Sequence, residues 1–155
     1  MDYKSKIILI AGPTASGKSK IAINLAKKIN GEIINADSMQ VYKQLKILTA
    51  RPSEKDQKTI KHHLFGIIDV RKRFSTGQWL KECIKIINLI RKRKKIPIIV
   101  GGTGLYFKAL VDGLVKIPKF KPSEKNKILK LHKKLGQNQF YKKLIKLDPI
   151  SKKFV

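Results

Sequence analysis

Apolar positions in this chain alternate between two rhythms. The run Ile7-Ile8-Leu9-Ile10 is short and continuous, which predicts a buried strand from about Lys6 to Ala11. Ile21, Ala22, Leu25, Ala26 and Ile29 then recur at helical spacing. Asn30-Gly31, residues that tolerate a left-handed cap, end that helix, and Glu32 to Ala36 reads as a second strand. A strand–helix–strand unit implies a parallel sheet. Val41 to Lys61 is polar and without period, and His63 to Asp69 is a candidate short strand. Ser75 and Gln78 have capping-box spacing, opening a helix whose inner face is expected to carry Leu80, Cys83, Ile84, Ile87 and Ile90. Arg91 to Lys95 closes it with cations, which suit the negative end of a helix and equally suit an RNA contact. Ile96 to Val100 is a further buried strand. It runs into Gly101-Gly102-Thr103-Gly104 and a helix with Leu105, Ala109 and Leu110, ending near Asp112-Gly113.

Beyond Gly113 the pattern changes. Lys116 to Pro122 reads as a proline- and lysine-rich linker. Ser123 is expected to cap a helix with Ile128, Leu131 and Leu135 inward, stopped by Gly136, and a second helix carries Phe140, Leu144 and Leu147 up to Asp148-Pro149. The expected organisation is a core over residues 1–115 and a truncated helical module over residues 116–155. The fold class is α/β: a parallel sheet flanked by helices, with a small helical insertion. Three or four strands make a thin sheet beside the usual ~5. The sheet is therefore expected to be incomplete and the chain to be the front part of a longer protein.

Composition adds three constraints. No stretch reaches the ~18 apolar residues of a membrane span, and no signal peptide is evident, so no membrane partner is expected. Cys83 is the single cysteine, which excludes an internal disulfide and points to a reducing, cytoplasmic setting. On the inner face of its helix it reads as a buried, inert thiol. The charge is extreme, with 36 Lys and Arg against 10 Asp and Glu, a formal +26. A polyanion such as RNA is one reading; the other is drift in a lysine- and isoleucine-rich composition.

The chemistry is concentrated in Gly12-Pro13-Thr14-Ala15-Ser16-Gly17-Lys18-Ser19, which completes G-x-x-x-x-G-K-[ST] between the first strand and the first helix. Glycines at both ends let the loop curl so that successive N–H groups point at one oxyanion. The helix N-terminus and Lys18 add positive charge, and Ser19 offers a hydroxyl to a metal such as Mg²⁺. The loop grips a diphosphate or triphosphate, as in a P-loop NTPase-like fold. Asp37-Ser38-Met39-Gln40 sits where the second strand ends, on the edge where open α/β sheets bind ligands. An apolar strand that ends in Asp37 there suits a metal-orienting carboxylate.

The segments Ala36-Asp37-Ser38-Met39-Gln40-Val41-Tyr42, Thr49-Ala50-Arg51-Pro52, His62-His63-Leu64 and Ile96-Pro97-Ile98-Ile99-Val100-Gly101-Gly102-Thr103-Gly104-Leu105-Tyr106 occur in that order. This series resembles the tRNA dimethylallyltransferases, also called tRNA isopentenyltransferases, over essentially the whole chain. The resemblance implies transfer of a dimethylallyl group from dimethylallyl diphosphate to the exocyclic amine of the adenosine beside the anticodon, in tRNAs reading codons that start with U. It makes residues 12–19 the grip on the donor's diphosphate, with Mg²⁺. Asp37 becomes the general base. Asp37, Ser38, Met39, Gln40 and Thr103 become contacts to the tRNA anticodon stem-loop, Thr103 near the reacting centre. Lys125 becomes a phosphate contact from the helical insertion, and a monomer is expected. Gln40 has the amide to pair with an adenine edge, and Thr103 equally suits a helix N-cap. His62 and His63 read as structural, and Asp69 as a surface partner of Arg71 or Arg73. The family continues into an N-D-x-x-R-x-x-R-A type segment that this chain does not contain. Two rivals follow: a P-loop small-molecule kinase that binds ATP, and an RNA-binding fragment without turnover.

Overall fold

The structure, a computed structural model, describes residues 6–115 and 121–153. Four strands form one parallel sheet in the order β1-β4-β2-β3: β1 (Ile8–Ala11), β2 (Gly31–Asn35), β3 (His62–His63) and β4 (Ile96–Gly101). β4 lies between β1 and β2, pairing Ile8 with Ile98 on one side and Gly31 with Ile96 on the other. β2 and β4 are buried along their whole length, which is why they read as unbroken apolar runs. β1 is an edge, and its Leu9 is exposed. The expected third strand shrinks to two residues, followed only by an isolated bridge between Tyr42 and Ile68.

Strand alternation splits the core. Ile33, Ile98 and Val100 pack with Ala22 and Ala26 of α1 (Lys18–Ile29). Ile34 and Ile99 face the opposite side, against α3 (Thr76–Lys92) and α4 (Gly104–Asp112). A short α2 (Glu54–Thr59) and a 3₁₀ turn (Lys43–Leu45) lie in the segment without period. Asn30 ends α1 in the left-handed conformation, at φ 52°, and Ser75 and Gln78 form both halves of the capping box on α3.

The inner face of α3 is rotated from the expected one. Trp79, Cys83, Ile87 and Ile90 are buried, Leu80 sits on the flank and Ile84 is exposed. Trp79 sets this rotation: its indole N–H donates to the Asn35 carbonyl at 2.8 Å, and its ring stacks on Tyr106 at 4.3 Å. For the same reason Tyr106, not Leu105, is the buried anchor of α4. Cys83 is buried as expected, and burial pushes its thiol up to about 12.

The described residues divide into two compact units, one up to Leu114 and the other from Val115 onward. The second holds α5 (Pro122–Leu147) and a 3₁₀ turn (Pro149–Lys153). Gly136, at φ 71° and ψ 170°, breaks α5 into the two expected helical segments. Its start differs: Lys121 occupies the cap position, with Pro122 in the first turn and the Glu124 carboxylate accepting the Lys121 N–H at 2.8 Å, so Ser123 already lies inside the helix. Ile128 and Leu147, expected inward, are exposed. Residues 116–120 of the expected linker and Phe154-Val155 lie outside the described residues.

At the amino end of the sheet, away from the glycine-rich loop, Glu32 is buried with 1% of its surface exposed. Arg93 approaches it at 2.6 Å, His63 at 2.7 Å and Lys95 at 3.3 Å. Burial alone would raise this carboxyl. Hydrogen bonds from Arg93 and His63, the Arg93 charge and Lys95 outweigh it and bring the group from 4.5 down to about 2. For His63, burial outweighs the Glu32 contact and holds the ring below its ordinary 6.5, so the neutral ring donates its Nε2 proton. Both groups are thus lowered on folding. The His63 contribution to stability is complete above 6.5, and that of Glu32 above 4.5; each is lost as pH falls through the folded value. Glu32→Gln is expected to lower stability at neutral pH by about 3 kcal/mol. It should also remove the part of the acid sensitivity below 4.5, read as melting temperature against pH.

Candidate active site

The loop between β1 and α1 has the conformation an anion cradle needs. Ala15 and Gly17 both adopt positive φ, 63° and 81°, with the Ser16 N–H donating to the Pro13 carbonyl between them. Gly17 is the cap position of α1, so the helix N-terminus opens directly into the loop. The Lys18 ammonium folds over the loop, donating to the Pro13 carbonyl and, at 3.4 Å, to Ser16 Oγ. Ser19, in the first turn of α1, is exposed toward the same cleft.

Asp37 follows β2 and is positioned from beneath. Asn35, fully buried, accepts the Asp37 N–H on Oδ1 at 2.9 Å and donates from Nδ2 to the Asp37 and Leu64 carbonyls. Asp37 Oδ1 in turn accepts the Met39 N–H at 2.8 Å and the Gln40 N–H at 3.3 Å, which leaves Oδ2 without a hydrogen bond among the described residues. A Cβ at Gly102 would stand 3.4 Å from the Gly12 carbonyl and 3.9 Å from Asp37 Oδ2, so the free carboxylate oxygen and the root of the cradle flank one point.

Thr103 ties the two strand ends together. Its N–H donates to the Ala36 carbonyl at 3.1 Å and its Oγ1 accepts the Ser38 N–H at 2.9 Å. It stands at the N-cap position of α4 but makes no side-chain cap bond there, because the hydroxyl is committed to Ser38. Gly101, just before, cannot carry a side chain: a Cβ would meet the Ala36 carbonyl carbon and oxygen at 2.2 Å.

The cleft is about 730 Å³ and brings together Thr14 to Ser19, Asp37, Met39 and Gln40, with Leu45, Leu48 and Phe65. Gln40 is already engaged, its Nε2 donating to the Thr49 carbonyl at 2.8 Å. Lys125 belongs to the other unit, exposed in the first turn of α5. Asp69 pairs with the exposed Arg71 at 2.8 Å, and His62 packs edge-on against Phe65. Sequence reasoning missed Asn35, which positions Asp37. Asn35 had one visible sign, a polar side chain closing an apolar run. No helix among the described residues is long and apolar enough to cross a membrane.

A parallel sheet with a glycine-rich strand-to-helix loop after one strand and a carboxylate after another is the architecture of a P-loop NTPase-like fold. The IPP transferase family model matches residues 40–155, and the chain belongs to that family. It is 66% identical over 149 residues to the tRNA dimethylallyltransferase of Pelagibacter ubique, covering 96% of this chain and 48% of that protein. A eukaryotic dimethylallyltransferase acting on tRNA superposes with a TM-score of 0.80 at 36% identity, over 96% of this chain and 37% of that one. The tRNA isopentenylpyrophosphate transferase of Bacillus halodurans does so with 0.71 at 34% identity, over 93% and 48%. The chain spans about half the length of the curated relatives it matches.

Proposed function

We propose that this chain carries the donor-gripping, base-bearing part of a tRNA dimethylallyltransferase. The loop from Gly12 to Ser19 holds the diphosphate of dimethylallyl diphosphate. Asp37 takes a proton from the exocyclic amine of an adenosine extruded from a tRNA anticodon stem-loop. In the transfer, the N6 lone pair bonds to C1 of the allyl group and the C1–O bond breaks with its electrons going to the diphosphate. Asp37 accepts the proton that N6 loses. The adenine amine is weakly nucleophilic because it is conjugated with the ring, so removing its proton and stabilising the leaving group both lower the barrier. Inward N–H groups and Lys18 supply the second effect.

The observation that carries this reading is the free Asp37 Oδ2 beside the root of the cradle. The relatives named for this reaction support the choice of donor and acceptor. Mg²⁺ fits the site as a hard cation that the Ser19 hydroxyl, exposed to the cleft in the first turn of α1, would help to hold. When bound, it would neutralise charge developing on the diphosphate. Ser38, Met39, Gln40 and Thr103 lie at the acceptor side of Asp37, and Lys125 adds a phosphate contact from α5. The core and the helical module are proposed as separate functional parts, over residues 1–115 and 116–155.

Incubation with dimethylallyl diphosphate and an unmodified anticodon stem-loop is expected to yield N6-dimethylallyl adenosine, detected by mass spectrometry of the digested RNA. Phosphorylated product with ATP would assign a kinase instead. Salt-sensitive RNA binding with no product from any donor would assign a binder without turnover.

A further inference from the structure

The sheet ladder gives out just below the Asp37 turn. Backbone groups alternate sides along a strand, so the Asn35 carbonyl points the same way as the Ile33 N–H, which donates to the Lys61 carbonyl beside β3. β3 ends at His63 and Leu64 turns the chain off at φ 62°, so β3 supplies no further rung. Asn35 is fully buried, and a carbonyl stranded there would carry the cost of an unmade hydrogen bond. The Trp79 indole fills the gap from α3, donating at 2.8 Å. The Ala36 N–H, in the same peptide plane, donates to the Val100 carbonyl at 2.8 Å. That plane is therefore pinned from both sides.

The next peptide leads straight to Asp37. The Asn35 side chain commits its oxygen to the Asp37 N–H and both amide hydrogens to the Asp37 and Leu64 carbonyls, so any tilt of Asn35 is passed on to Asp37. Trp79 is itself held firmly: it is fully buried, and its ring stacks on Tyr106 at 4.3 Å with 11° between planes. The Tyr106 N–H donates to the Thr103 carbonyl, and Thr103 Oγ1 accepts the Ser38 N–H. Two routes from this aromatic pair thus meet at Asp37 and Ser38. Packing alone does not call for an indole here, since phenylalanine is also a large aromatic that can stack on Tyr106. The nitrogen is what the Asn35 carbonyl requires.

We propose that Trp79 is a positioning residue for the transfer: its indole N–H fixes the Asn35 peptide and thereby the direction of the Asp37 carboxylate. Trp79 does not line the cleft, so it acts through Asn35 and touches neither reactant. The effect on the chemical step rests on Asp37 being the base; the effect on the Asp37 turn does not.

Trp79→Phe isolates the nitrogen, and hydrogen exchange on the intact chain reads the geometry without any turnover. The Met39 and Gln40 amides donate to Asp37 Oδ1, so they are expected to exchange ~10-fold faster in this variant, a larger factor than for the amides of β4. Asn35→Ala should do at least as much. Trp79 is the single tryptophan, so its indole proton gives one resonance, which should be protected from exchange in the wild-type chain. In single-turnover assays with dimethylallyl diphosphate and an anticodon stem-loop, Trp79→Phe should slow transfer ~10-fold and leave donor affinity unchanged. On an Asp37→Asn background the same change should cost nothing further, because the group it orients no longer takes a proton. A merely structural role predicts the same loss in both backgrounds, and that result would overturn the proposal. So would unaltered Met39 and Gln40 exchange in a folded Trp79→Phe, or equal acceleration through β4. A freely exchanging indole proton in the wild-type chain would sink it whether or not the variant folds. Absence of product from the wild-type chain would strike the transfer reading alone, and the exchange comparison would still decide whether Trp79 holds the Asp37 turn.

Discussion

Asp37→Ala is expected to cut prenyl transfer by ~10²–10⁴-fold, the range of a positioned general base, while dimethylallyl diphosphate binds almost as before. The two carboxylate oxygens have separate tasks. Oδ1 caps the turn through the Met39 and Gln40 N–H groups, and Oδ2 points to the space beside the cradle. Alanine removes both, so Asp37→Asn is the informative companion. The amide oxygen still accepts the two N–H groups, but no group remains that takes a proton at neutral pH. Equal losses in both variants, in single-turnover assays with saturating donor, place the defect on proton transfer and not on the turn. A large loss of donor affinity in the presence of Mg²⁺ would instead make Asp37 a metal-orienting carboxylate.

The second large effect concerns the fold that presents this carboxylate. Gly101→Ala is expected to destabilise the first unit by about 3 kcal/mol or more, since the added methyl overlaps backbone and not a movable side chain. Ala36 cannot step aside: its N–H donates to the Val100 carbonyl at 2.8 Å and its carbonyl accepts the Thr103 N–H. The melting temperature should fall by roughly 10 °C or more. Gly102→Ala, one residue on, meets the Gly12 carbonyl at 3.4 Å and Asp37 Oδ2 at 3.9 Å, so that variant should fold and impair the site alone. Thermal denaturation of the two variants side by side separates these outcomes.

What the sequence disclosed and what it hid follow from how local each cause is. The cradle was legible because strand, glycines, Lys18 and helix start are consecutive. The αL cap at Asn30, the capping box at Ser75 and the break at Gly136 were legible for the same reason. Asn35 was not, because its partners beyond the turn, Leu64 and Trp79, lie 29 and 44 residues away. Glu32 was hidden likewise, with Arg93 61 residues distant. Helical periodicity located α3 but not its exact rotation. Leu80 and Trp79 are neighbours on one apolar arc, and only the Asn35 carbonyl and the Tyr106 ring decide which points inward.

Gln40 shows how a residue type can be read correctly for its chemistry while its partner goes unseen. Its amide is suited to an adenine edge, yet in this structure it is bonded to the Thr49 carbonyl. Through that bond the Asp37 turn is joined to the segment that carries Leu45, Leu48 and Thr49.

A crystal structure of the chain with a non-reactive thio analogue of dimethylallyl diphosphate and an anticodon stem-loop would test most directly whether one reactant pair bridges cradle and carboxylate. The prediction is the diphosphate seated on residues 12–19, with adenosine N6 about 2.6–3.2 Å from an Asp37 oxygen or joined to it through one water. A diphosphate bound elsewhere, or an Asp37 carboxylate beyond reach of N6 with the donor in the cradle, would contradict it.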